Sequence, residues 1–183
     1  MYDFDVAVTK AINGLAGGSA TMDTLMIWVS AIAVEVLVLA VAGQWWVRNG
    51  RSHTRHILVA TGFSFLLGLA LNQLILLFLH RVRPYDAGIT DLLISPSTDY
   101  SFPSDHATAS FAIGVAFLLH GFRRRGLIFL AAAALVAYSR VHIGIHYFGD
   151  VVGGAVTGML GALLVRAFYR EGSRLDSLLV RIL

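Results

Sequence analysis

The 183-residue chain predicts an all-α fold: a polytopic membrane helix bundle of about five transmembrane helices preceded by an N-terminal interfacial helix. Three observations predict it. Hydrophobic residues make up 57% of the chain and charged residues only 14%, which is greasier than a soluble domain of this size. The apolar residues arrive in blocks long enough to cross a hydrocarbon core of about 30 Å. The arginines fall in short groups between those blocks, as membrane topology signals do. A net charge of +3 spread in this way offers no continuous basic face, so nucleic acid is not an expected partner. With 0 cysteines, neither a disulfide framework nor thiolate–metal chemistry is open to it.

The elements follow in order. Phe4, Val6, Ala7, Ala11, Ile12 and Leu15 recur at roughly helical spacing, and Gly17-Gly18 ends the pattern. This reads as an amphipathic helix on the membrane surface, with a plain tail as the competing reading. Met1 to Ser19 holds Asp3 and Asp5 and no continuous apolar run, so no secretory leader is expected and insertion rests on the spans. The first span runs from about Thr24 to Trp46, ending in Trp45-Trp46 at headgroup level, and the second from about Ile57 to Leu79. A polar stretch from Arg81 to Pro103 holds all 3 prolines. The third span runs from the Ser104 region to Phe122, with Ser104 as a plausible N-cap and Asp105 in the first turn. The fourth covers Leu127 to Ile143 and the fifth Val151 to Phe168. No repeat or linker divides residues 1–183, which read as one domain.

Crossing by crossing, Arg48, Arg51 and Arg55, then Arg123, Arg124 and Arg125, then Arg166, Arg170, Arg174 and Arg181 fall on one side. The positive-inside rule makes that side cytoplasmic. The opposite side receives the chemistry-bearing residues of two segments, near 81–106 and 139–150. Ionisable groups are costly in so apolar a chain, so their convergence at one face is a functional hypothesis by default.

Arg83, Ser104, His106, Arg140, His146 and Asp150 form a parts list for holding a phosphate and attacking it. Arg83 and Arg140 suit a clamp, since the guanidinium fork donates two bonds to one phosphate; interfacial snorkelling is the bland alternative. Ser104 and the free N–H groups opening the third span add donors. His146 is the expected nucleophile, with Asp150 four residues on to fix its tautomer. His106 is the expected general acid. A competing reading notes that His142, His146 and Asp150 are spaced as three metal ligands on one helix face. Beside two arginines a dication is disfavoured, so no metal or other cofactor is expected, and His142 reads as an accessory or interfacial residue.

These residues resemble the type 2 phosphatidic acid phosphatase superfamily, whose motifs are Lys-x6-Arg-Pro, Pro-Ser-Gly-His and Ser-Arg-x5-His-x3-Asp. The third matches in full from Ser139 to Asp150. In the second, Asp105 stands where the family has glycine. In the first, Arg83-Pro84 is present but Leu76 occupies the lysine position, leaving Arg81 or its loop to replace the lost donor. Those departures, with the Phe102-Pro103-Ser104-Asp105-His106-Ala107 run, resemble the bacitracin-resistance type of undecaprenyl-diphosphatase. The resemblance implies metal-free hydrolysis of undecaprenyl diphosphate to the monophosphate, outside the cytoplasm, in the bacterial cell membrane. It also implies a polyprenyl diphosphate lipid as partner, with Arg83, Ser104, Arg140, Asp105 and Arg81 at the substrate. A phosphatase of phosphatidylglycerophosphate or phosphatidate would use the same machinery. A small channel or transporter is the non-enzyme alternative, for which paired broken spans are missing.

Glu35 is the only acidic residue deep in an apolar block. It is expected to be protonated or to face the bundle interior, either bonding Asn72 or Gln73 or helping at the site.

Overall fold

A computed structural model describes residues 2–46 and 50–182. All the regular structure described is helical: α1 (Tyr2–Asn13), α2 (Ala20–Ala42) running into a 3-10 turn (Gly43–Trp46), α3 (Arg51–Leu76), α4 (Asp105–Leu119), α5 (Arg123–His142), α6 (Phe148–Phe168) and α7 (Arg174–Ile182). Among the described residues, three segments are long and apolar enough to cross a bilayer, namely Ala20–Trp46, Arg51–Leu76 and Phe148–Phe168.

The other two expected spans differ from these for physical reasons. At 15 residues, α4 rises about 22 Å and is short of a full crossing. It compensates by sitting in the middle, packed on α3, α5 and α6, with Ala107, Ala112, Ile113, Ala116 and Phe117 buried. Its close approach to α6 depends on Gly158, where a Cβ would collide with the Thr108 carbonyl. The 20-residue α5 opens on Arg123, Arg124 and Arg125 and closes on Arg140 and His142, which dilutes its apolar character at both ends.

Helices α2 to α6 alternate in direction and bring the arginine groups together at one end. There Arg125 Nη1 donates to Gln44 Oε1 (2.8 Å), Arg166 Nε to Leu119 O (3.2 Å) and Arg55 Nη1 to Val180 O (2.9 Å). Arg48 lies outside the described residues. The segments near 81–106 and 139–150 meet at the other end.

Two elements depart from expectation. The nine-residue α7 is an additional helix, because a short segment rich in arginine reads in sequence as a topology signal alone. It docks through Asp176, which is buried and accepts from Tyr169 Oη (2.6 Å) and Gly172 N (2.8 Å) and pairs with His56 Nδ1 (2.8 Å). Glu35 is exposed rather than directed into the bundle. The buried residues of α2 are Met26, Ser30 and Leu37, and the helix packs chiefly on α5. Glu35 sits roughly 140–200° around the helix from each of them. Asn72 bonds Asp105 and Thr108 instead, and Gln73 is exposed.

Candidate active site

The turn from α5 to α6 builds one wall. Helix α5 ends at His142, and Gly144 takes a left-handed conformation (φ +82°), where a Cβ would also strike the Asp91 carbonyl. The turn is closed by Ile145 N and His146 N, which both donate to Arg140 O (3.2 and 3.3 Å). Asp150 then caps α6, its Oδ2 accepting from Tyr147 N at 2.9 Å. His146 and Asp150 therefore face each other across a helix start, with His146 Nδ1 3.5 Å from Asp150 Oδ2. Burial drives the His146 pKa down to about 4; the Asp150 bond opposes this and Arg140 reinforces it.

The loop between α3 and α4 builds the second wall. Arg83, only 4% exposed, sends Nη1 to Ile145 O (2.9 Å) and lies 3.5 Å from His146 Nε2 through the same nitrogen. Its Nε donates to Asp99 O (3.0 Å) and its Nη2 to Asp99 Oδ1 (2.8 Å). Burial raises the Asp99 carboxyl, but bonds from Ser97 and Arg83 outweigh it and hold the group below the usual carboxylate range. Ser101 Oγ donates to Asp150 Oδ2, and Ser104 N donates to Asp150 O (3.0 Å).

The start of α4 and the end of α5 complete the cluster. Ser104 holds the N-cap position without making the cap bond; its hydroxyl is buried and unpartnered. His106 stands on the first turn of α4, within electrostatic reach of Arg140, His146 and Arg83. Arg140 is buried, with Nη1 donating to Ser30 Oγ (2.5 Å) and Nε left free. Ser104 Oγ and Arg140 Nε are thus two buried donors left without a partner.

Three sequence expectations find other surroundings. The Arg81 guanidinium is engaged with Asp150 Oδ1 (2.7 Å) and Asp5 Oδ2 (2.5 Å) and lies over the Tyr147 ring. Asp105 accepts from Asn72 Nδ2 (2.6 Å), so its carboxylate is tied to α3. His142, at the end of α5, pairs through Nε2 with Asp23 Oδ1 (2.9 Å) on α2. The continuous helix that the three-ligand reading needs is broken at Gly144. Sequence reasoning missed Asp5, Ser30, Asp99 and Ser101, which belong to no motif. Only Asp5 carried a signal, since Asp5, Thr9 and Asn13 form a polar stripe at helical spacing.

Comparison with known proteins places the chain in one family. The PAP2 superfamily profile matches residues 57–174. Undecaprenyl-diphosphatase BcrC of Bacillus subtilis is 33% identical over 161 residues, 88% of this chain and 82% of that protein. Putative undecaprenyl-diphosphatase YbjG of Escherichia coli is 28% identical, covering 93% of this chain and 85% of its own. Among solved structures, the transmembrane PAP2-type phosphatidylglycerolphosphate phosphatase from Bacillus subtilis superposes with a TM-score of 0.64 at 26% identity, over 94% of this chain and 88% of that one. The chain belongs to the PAP2 superfamily and is a multi-pass membrane lipid phosphatase.

Proposed function

We propose that this phosphatase hydrolyses undecaprenyl diphosphate to undecaprenyl phosphate and inorganic phosphate on the non-cytoplasmic side of the bacterial cell membrane, through a phosphohistidine on His146. The observation that carries the mechanism is the contact of Arg83 Nη1 with His146 Nε2 at 3.5 Å. A clamp for phosphate oxygens beside the attacking nitrogen puts phosphorus within reach of its lone pair. The partner of Arg83, Asp99, is 68% exposed on its side chain, so the pair is one a phosphate can displace.

In the first step Nε2 forms the P–N bond as the bond to the bridging oxygen breaks. Asp150 stabilises the positive charge that develops on the ring. His106, whose pKa burial, Arg140 and Arg83 push down to about 3, takes up a proton once the diphosphate charge offsets those arginines and gives it to the leaving oxygen. Arg83, Arg140, Ser104 and the N–H groups at the start of α4 hold the equatorial oxygens. Water then cleaves the phosphohistidine, His106 taking its proton. The arginine-rich end of the bundle lies in the cytoplasm on the positive-inside argument, so the site faces out. The names of the BcrC and YbjG relatives support the polyprenyl diphosphate; the phosphatidylglycerolphosphate phosphatase fold supports a diacyl monophosphate as second reading. Phosphate release by the purified protein in detergent, comparing undecaprenyl diphosphate with phosphatidylglycerophosphate in the presence of a chelator, decides. A preference for the second lipid, or loss of activity on chelation, overturns the reading.

A further inference from the structure

We propose that Asp5 of α1 is a positioning residue for catalysis, acting through Arg81 on Asp150; this rests on the roles just given to His146 and Asp150. Helix α1 lies outside the residues matched by the family profile, yet it reaches the back of the site. Its polar stripe faces the protein. Asp5 Oδ2 accepts from Arg81 Nη2 (2.5 Å) and Oδ1 from Gly149 N (2.6 Å). Thr9 Oγ1 accepts from Phe148 N (2.9 Å), and Asn13 Nδ2 donates to the carbonyls of Asp91 (2.9 Å) and His142 (2.8 Å). Each residue thus satisfies backbone groups in or against the segment from His142 to Gly149, which carries His146. The other side of α1 exposes Phe4, and Leu15 just past its end is exposed too, which suits the segment to lie in lipid while its polar stripe grips the site.

Charge gives Asp5 a role beyond an anchor. Arg81 bridges two carboxylates, with side chains 15% (Asp5) and 0% (Asp150) exposed. Two carboxylates around one guanidinium leave a net negative charge beside His146, where positive charge develops during attack. A lone Arg81–Asp150 pair would be neutral and would stabilise that charge less. Asp5 also fixes Arg81 behind Asp150, so that Oδ2 is left for Ser101, the Tyr147 N–H and His146. Removing the charge of Asp5 should therefore slow phosphoryl transfer to His146 while leaving lipid binding alone.

The test is Asp5→Asn in the full-length protein in detergent, monitored by single-turnover phosphoenzyme formation and by kcat and KM on undecaprenyl diphosphate. The expected result is a fall in kcat of about tenfold with KM within about twofold. In an Asp150→Asn background the same change should cost little more, because the route through Asp150 is already cut. Asp5→Glu should recover part of the rate. A folded Asp5→Asn protein with unaltered kcat, or losses that multiply with Asp150→Asn, overturns the proposal. Should Asp5→Asn not yield monodisperse protein, Arg81→Lys reads the same tether: it keeps one charge but loses the fork that spans both carboxylates. An unchanged kcat there overturns it equally. Inactive His146→Ala beside unimpaired Asp5→Asn sinks only the role of α1, whereas active His146→Ala sinks the nucleophile assignment beneath it.

Discussion

His146 Nδ1 stands 3.5 Å from Asp150 Oδ2, and the carboxylate is held in place by Arg81, Ser101 and the Tyr147 N–H. An imidazole so placed turns Nε2 toward Arg83 Nη1, 3.5 Å away. His146→Ala should abolish turnover. Asp150→Asn should lower kcat by roughly a hundredfold or more without unfolding the protein, because ring orientation and imidazolium stabilisation are lost. Rapid-quench trapping of phosphoenzyme, with thermal unfolding as control, checks both.

His146 should remain neutral well below the usual histidine range. Buried and flanked by Arg140 and Arg83, it has a pKa near 4 against 6.5 for a free imidazole. Between those values the unfolded chain binds a proton that the folded one refuses, so stability rises with pH across that window. Below about 4 the lone pair is protonated and attack stops. A 15N-histidine titration of the purified protein should show His146 titrating near 4. A midpoint above 6 contradicts the burial argument.

His106→Ala should damage diphosphate hydrolysis less than monophosphate hydrolysis. From a diphosphate the leaving group is a phosphate monoester, which needs less protonation than an alkoxide. Steady-state rates on undecaprenyl diphosphate and undecaprenyl phosphate, each relative to the parent, give the comparison; equal losses contradict the acid role of His106.

Topology can be read with thiol labelling, since the chain has 0 cysteines of its own. Thr98 is exposed on the loop at the site end and Arg124 is exposed at the arginine-rich end. In intact cells an impermeant maleimide should label Thr98→Cys and spare Arg124→Cys. The reverse pattern would put the site in the cytoplasm and remove the outer-face substrate reading.

At the opposite end of the bundle, Asp176→Ala should release α7. The carboxylate is 3% exposed and joins His56, Tyr169 and the Gly172 N–H, so its loss leaves buried partners unsatisfied at a cost of about 2 kcal/mol. Faster tryptic cleavage after Arg170 or Arg174 in detergent, with kcat retained, is the expected outcome.

The all-helical membrane bundle and the gathering of Arg83, Ser104, His106, Arg140, His146 and Asp150 at one end were legible from the chain. Hydropathy and charge bias act locally in sequence, and the Ser139-to-Asp150 motif is contiguous. Side-chain partners were not legible, because they depend on which helix packs on which. Arg81 turns to Asp5 and Asp150 because α1 folds back over the α5–α6 turn, a contact across |i−j| = 76 for Asp5 that no local pattern encodes. Glu35 faces outward because α2 packs on α5 rather than on α3. His142 and Asp150, evenly spaced on paper, are separated by the left-handed turn at Gly144. Sequence by itself determined at which end of the bundle the ionisable residues of the two motif segments meet. Tertiary structure decided which partner each of them takes, since a buried ionisable group takes its partner from whatever segment packing delivers to it.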